Sequence, residues 1–130
     1  MNIKYKDKEY EAKFNIKFMM NLDKKIQGEF WGQQIGLSLP DAINGLEDRD
    51  VLTLVDVLDS AIKELKENQV IEAIEQYGEE HGDIEVLYET VLDEMGESSV
   101  LKPTIRKEKE EENNPEKQQI KEALLKNLEK

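Results

Sequence analysis

The N-terminal residues of the chain alternate between apolar and charged side chains, with a break at Asp7 and Lys8. A period of two is typical of strands that bury one face, and two such runs around a short polar break predict a β-hairpin over residues 3–14. The apolar members of this alternation are Ile3, Tyr5, Tyr10, Ala12 and Phe14.

Beyond residue 15 the apolar positions recur at intervals of three and four residues, the spacing of amphipathic helices. The strongest pattern covers 51–67 and has more apolar positions than one narrow stripe requires, so it predicts a central core helix. Its stripe consists of Val51, Val55, Leu58, Ile62 and Leu65, widened by Leu52, Leu54, Val57 and Ala61. In all, helices are predicted over 16–26, 39–46, 51–67, 69–77 and 84–95.

Polar and glycine residues at the ends of these patterns suggest where the helices start and stop. Asn15 is placed to cap the first helix, and Ser38 with Pro40 is a typical start for the second. Asn68 is a candidate cap for the fourth helix, which Gly78 is expected to end.

The predicted fold is therefore α+β and mostly α: an N-terminal hairpin followed by a compact bundle of about five helices. We expect the folded domain to cover residues 1–101. Residues 102–130 contain few apolar side chains and many charges, so they predict a flexible linker with a short amphipathic segment at the end.

Composition agrees with a small folded domain, because 35 of the 130 residues are Leu, Ile, Val or Phe. The net charge is −12, but it is unevenly distributed. Residues 26–100 carry 19 acidic and 3 basic side chains, whereas residues 1–25 carry 4 acidic and 7 basic ones. This acidity disfavours binding to nucleic acid phosphates or to anionic membranes. No signal peptide or membrane-spanning segment is predicted.

The sequence offers little for catalysis or cofactor binding. It has no cysteine and one histidine, which excludes a thiolate nucleophile and disfavours a zinc site. Phosphate-binding glycine motifs and a nucleophile elbow are absent from the sequence. The acidic residues around His81 lack the register of a calcium loop, so we interpret 79–83 as a solvated turn. We expect a non-enzymatic protein with no catalytic residues, no cofactor and no metal.

Two features are candidates for partner binding. Phe30 and Trp31 lie in a glycine-flanked stretch, where adjacent aromatics point to different sides of an extended chain; the alternative is that both fill the core. The C-terminal segment has apolar residues four apart, and its alternative is a frayed terminus. That stripe consists of Ile120, Leu124 and Leu128.

The order of these elements resembles the tail assembly chaperones of long-tailed phages and prophages of Gram-positive bacteria. The resemblance covers about residues 1–107 and includes Phe14, Phe18, Leu22 and Asp23 in the first helix region. Its successive segments are KFNIKFMMNLDKKI, SLPDAINGLEDRD, VLTLVDVLDSAIKELKENQ, DIEVLYETVLDEMGES and LKPTIRK.

This resemblance implies a protein that binds the hydrophobic tape-measure protein in the bacterial host cytoplasm and keeps it soluble while tail-tube subunits are recruited. It implies departure before the virion is mature, and a homo-oligomer or multi-copy coat on the client. The wide apolar surface of the central helix then has two interpretations: a client groove, or packing against the other helices.

A different class of function remains open as the alternative. With 19 carboxylates in residues 26–100, the chain also suits an acidic regulator that mimics DNA and occupies a nucleic-acid-binding protein. Such mimicry needs regularly spaced carboxylates on one face, whereas here they are scattered over several helices.

Overall fold

The computed structural model describes residues 1–27 and 38–105. It confirms the predicted architecture, an N-terminal hairpin followed by a helical bundle. The hairpin consists of β1 (Asn2–Tyr5) and β2 (Lys8–Glu11). The helices are α1 (Ile16–Gln27), α2 (Leu39–Glu47), α3 (Val51–Ala61), α4 (Glu67–His81) and α5 (Glu85–Glu97), and residues 102–105 are helical again.

The hairpin buries one face, as its alternation predicts. The strands are antiparallel with Ile3 opposite Tyr10, and Ile3 and Tyr5 are buried against the helices while their neighbours are exposed. Lys6 takes a positive φ of 57° in the turn. The hairpin thus covers one side of the bundle, mainly along α4.

Helices α1 and α2 begin near the predicted positions. The Asn15 side chain accepts a hydrogen bond from Phe18 N at 2.9 Å, which satisfies an amide at the start of α1. Ser38 precedes α2, but its hydroxyl does not cap the helix; instead its backbone N–H donates to Asp23 Oδ1 at 3.2 Å. This bond joins the start of α2 to α1.

The helix predicted over 51–67 is wrong in its last six residues, because α3 ends at Ala61. In a longer helix the carbonyls of Ser60 and Ala61 would accept from residues 64 and 65. Here Asn21 Nδ2 donates to Ser60 O and Lys13 N to Ala61 O. Ile62 and Leu65 stay buried outside the helix, so the apolar spacing continues where the helical backbone does not.

The predicted ends of the fourth helix are also wrong. Lys66, rather than Asn68, precedes α4, and Lys66 N donates to the Gln69 side chain at 2.9 Å. The helix passes through Gly78 and stops before Gly82, whose φ of +90° suits a residue without a Cβ. At Gly78 the missing Cβ instead leaves room for Ile84, the residue before α5.

The core surrounds α3, which packs against α1, α2 and α4. Leu54, Val57 and Leu58 are completely buried, confirming α3 as the central helix. Leu101 is equally buried beyond α5, and Ile105 packs against the core. The predicted domain limit at residue 101 stays a prediction.

Candidate partner-binding surface

The five residues predicted from the sequence to bind a partner all lie outside the described residues. They are Phe30, Trp31, Ile120, Leu124 and Leu128. Their role in binding a partner therefore stays a prediction.

Several large apolar side chains are exposed on the described surface. Leu52 is 71% exposed and Val51, next to it, 46%, which corrects their expected place in the core stripe of the central helix. Leu52 lies one turn before Asp56 and two turns before Asp59, so it is on the polar side of α3. Val51 directly follows the exposed Asp50 that caps the helix. The other exposed apolar residues are Ile16, Met20, Ile26, Ile71, Val86 and Val100.

Helix α1 also has a line of exposed apolar residues that is not predicted from the sequence. Ile16 and Met20 lie one turn apart on the side opposite the buried Phe18 and Leu22, and they are 55% and 39% exposed. Their four-residue spacing was visible in the sequence. Phe18, Met19 and Leu22 already give α1 the apolar spacing expected of a buried side, so the spacing of Ile16 and Met20 does not stand out as a separate signal.

An ion-pair cluster joins α1, α3 and α4. Lys25 Nζ lies 2.8 Å from Asp59 Oδ2 and 2.8 Å from Glu67 Oε2. The hydrogen bond to Asp59, followed by that to Glu67, raises the pKa of Lys25 above its ordinary value. Beside the cluster is an open cleft of about 280 Å³ lined by Asn21, Lys24, Lys25, Asp59 and Ser60.

Asp56 lies near this cluster in a less favourable environment. Burial raises the pKa of Asp56, while the charge of Lys25 acts in the opposite direction. The ion pairs of Lys25 with Asp59 and Glu67 make the cluster a connection between α1, α3 and α4.

Polar contacts hold the hairpin on α4. The Tyr5 hydroxyl donates to Glu72 Oε2 at 2.5 Å. Lys6 N donates to Gln76 Oε1 at 2.8 Å, and Gln76 Nε2 donates back to Lys6 O at 3.1 Å. The basic end of the chain is thus fixed to an acidic helix of the middle segment.

Arg49 makes a similar connection between the α2–α3 turn and α5. Its guanidinium lies 2.7 Å from Glu85 and 3.9 Å from Glu89, and the Tyr88 hydroxyl donates to Arg49 O at 3.0 Å. Its φ of 60° is in the left-handed region. Glu85 and Glu89, like Asp59, Glu67 and Glu72, thus use their charge in contacts within the fold.

The acidic stretch around His81 forms the end of α4. The His81 ring stacks on Tyr77 with centroids 4.0 Å apart, and Asp83 accepts a hydrogen bond from Glu85 N at 3.0 Å. Within residues 1–27 and 38–105, no group of three or more His, Asp or Glu side chains is placed to hold a metal ion.

The described part of the surface thus presents scattered apolar residues among charges on a small helical scaffold, as folded domains ordinarily do. A comparison with protein families matches residues 2–110 to the family described as phage tail assembly chaperone protein, TAC. The chain belongs to the phage tail assembly chaperone family. The match covers the hairpin and helices α1 to α5.

Membership makes the protein a tail assembly chaperone, and in general terms it implies binding to phage tail proteins. Neither the curated proteins nor the solved structures contain a significant match to the chain. None of the helices in the described ranges is long and apolar enough to cross a membrane.

Proposed function

We propose that this tail assembly chaperone binds the tape-measure protein and keeps it soluble in the bacterial host cytoplasm while tail-tube subunits are recruited. The observation that carries the proposal is the family match over residues 2–110. On this proposal the chaperone leaves before the virion is mature. No catalytic step or cofactor is involved.

The described surface is suited to a reversible client. Its exposed apolar residues are distributed over α1, α3, α4 and α5, with charged side chains between them. Contacts through dispersed apolar residues bury less apolar area than a permanent complex does, which suits a client that is later released. A net charge of −12 keeps copies of the chaperone from clumping when many gather on one client.

Co-expression with the tape-measure protein of the same phage or prophage tests the proposal. We expect more of the tape-measure protein in the soluble fraction, and co-purification of the two chains. If the client stays insoluble and unbound, the proposed function is wrong. Recovery of a DNA-binding enzyme from infected cells, without the tape-measure protein, would favour the DNA-mimic alternative.

Phe30 and Trp31 are proposed client contacts, and their alternative role as core residues predicts a different result. Replacing both with Ala should reduce co-purification of the tape-measure protein while leaving the melting temperature nearly unchanged. A matched control is Phe18→Ala, which empties a completely buried position and should lower the stability by about 3–5 kcal/mol. If the double variant unfolds like the control, both aromatics belong to the core.

A further inference from the structure

The outward side of α1 combines apolar and basic side chains. Ile16 and Met20 form its exposed apolar line, and the exposed Lys17 and Lys24 lie beside it. All four residues fall within about 100° of one another around the helix axis. Neither lysine has an ion-pair partner among the described residues. We call Ile16, Lys17, Met20 and Lys24 the α1 face.

Helices α2 to α5 do not offer this combination. Their sequences contain no Lys or Arg. The exposed Leu52, Ile71 and Val86 therefore share their helices with carboxylates and with neither of these cations. An apolar segment flanked by carboxylates is repelled by such surfaces and attracted by the α1 face.

The open cleft between α1 and α3 continues the α1 face, because Lys24 belongs to both. The cleft is lined by two lysines and one carboxylate, that of Asp59, which is already paired with Lys25 at 2.8 Å. The ammonium group of Lys24 is thus the charge that remains for an incoming side chain. The cleft accordingly favours an anionic group over a cationic one.

We propose that the α1 face binds an amphipathic helix of the tape-measure protein whose apolar stripe is flanked by carboxylates. The identity of the client rests on the proposed function, whereas the charge preference follows from the α1 face itself. Lys17 and Lys24 are separated by about 10.5 Å along α1, and carboxylates seven residues apart on a partner helix have the same separation. Both ion pairs can therefore form while the stripe covers Ile16 and Met20.

The net charge of −12 predicts the opposite preference, which makes the α1 face testable. A protein of this charge attracts basic peptides at long range. At physiological salt the screening length is about 8 Å, so the charges across a contact outweigh those on distant helices. Binding of an acidic helix in preference to a basic one therefore identifies a local site.

Two synthetic amphipathic peptides of about 20 residues, or about 30 Å as helices, are the probes. They share one leucine stripe and differ only in whether Glu or Lys flanks it. Fluorescence anisotropy of the labelled peptides, titrated with the full chain at physiological salt, measures binding. We expect the Glu peptide to bind at least about tenfold more tightly than the Lys peptide.

The variant K17E/K24E tests the basic part of the α1 face. It should weaken binding of the Glu peptide by about tenfold or more, because two attractive pairs become repulsive. The matched control is K6E/K8E, which makes the same charge change at two exposed lysines of the hairpin. The control should bind the Glu peptide nearly as tightly as the wild type does.

The variant I16S/M20S tests the apolar part of the α1 face. It should also weaken binding of the Glu peptide by about tenfold, since less apolar area is then covered. Its control is L52S/V86S, which removes exposed apolar side chains from α3 and α5. The proposal is overturned if the wild type prefers the Lys peptide, if it binds neither peptide below about 1 mM, or if each variant binds like its control.

Co-expression with the tape-measure protein separates the α1 face from the proposed function. K17E/K24E should lose the co-purification that K6E/K8E retains. If both variants solubilise the tape-measure protein like the wild type, the function holds and the α1 face is the wrong site. If the wild type itself fails to solubilise the client, the proposed function is wrong, and so is the assignment of the bound helix to the tape-measure protein.

Discussion

Lys25 shows how one side chain connects three helices. It lies on α1 and pairs with Asp59 on α3 and Glu67 on α4, each at 2.8 Å. These hydrogen bonds raise the pKa of Lys25. Because the charged form is favoured in the folded protein, its stabilising effect is present at neutral pH and is lost only in strongly alkaline solution.

Replacing Lys25 with Gln should therefore lower the free energy of unfolding by roughly 1 kcal/mol at pH 7. The change removes both ion pairs and leaves Asp59 and Glu67 facing each other. Lys24→Gln is the matched control, because Lys24 is exposed and has no ion-pair partner among the described residues. Urea unfolding measures both variants, and equal effects would contradict a structural role for the cluster.

Replacing Asp56 should change the free energy of unfolding in the opposite direction. Burial raises the pKa of Asp56, so its charged form is less favourable in the folded than in the unfolded protein. Its cost to stability is absent below the ordinary pKa of 3.8 and grows as the pH rises through the folded-state value. Asp56→Asn should stabilise the protein by roughly 0.5 kcal/mol at pH 7, after allowance for solvent screening.

Urea unfolding at pH 7 and at acidic pH tests this sign. The gain from Asp56→Asn should shrink as the pH falls toward 3.8. Asp59→Asn is the control, since it removes an ion pair with Lys25 and should destabilise at pH 7. A destabilising Asp56→Asn would mean that the carboxylate has a favourable role in the fold.

At the level of elements, two glycines in helices predict opposite effects of the same substitution. A Cβ at Gly45 in α2 would overlap the Thr53 side chain of α3, lying 2.8 Å from its Cγ2 and 2.9 Å from its Cβ. Gly96 in α5 has open space around it. Gly96→Ala should stabilise by about 0.5–1 kcal/mol through helix propensity. Gly45→Ala should destabilise, because α2 and α3 must move apart.

Thermal unfolding of the two variants shows whether helix propensity or packing against Thr53 decides the effect of Ala at position 45. If Gly45→Ala were as stabilising as Gly96→Ala, the close packing of α2 on α3 would be contradicted. The pair is informative because both positions are helical, so the intrinsic preference for Ala is common to them.

The elements that depend on local pattern could be predicted, and those that depend on distant partners could not. Alternation identified the hairpin, and Asn15 identified the start of α1. The end of α3 depends on Asn21 and Lys13, whose side-chain and backbone N–H groups donate to the carbonyls of Ser60 and Ala61 from 39 and 48 residues away along the chain. No pattern within 51–67 contains that information.

The same limit applies to the surface. The spacing of Ile16 and Met20 was visible, but only packing determines which apolar line of a helix is buried. Likewise, the acidic middle segment was evident from counting charges. Its use in holding Lys25, Arg49 and the hairpin requires the folded arrangement.

At the scale of the whole molecule, the described fold continues past α5 and distinguishes two parts of the C-terminal region. Leu101 is completely buried and Ile105 packs against the core. Removing them should cost the several kcal/mol typical of a large apolar side chain lost from a core. Residues 108–130 include the proposed partner-binding stripe of Ile120, Leu124 and Leu128.

Deleting residues 108–130 should therefore leave the melting temperature within about 2 °C of the full chain and reduce capture of the tape-measure protein. A truncation that starts at Leu101 is the matched control, and it should lower the melting temperature strongly because it empties the core. L124E/L128E in the full chain should reproduce the loss of capture without loss of stability, since it removes the apolar stripe alone. If deletion from 108 destabilises as much as deletion from Leu101, the stripe packs on the folded domain instead of binding a client.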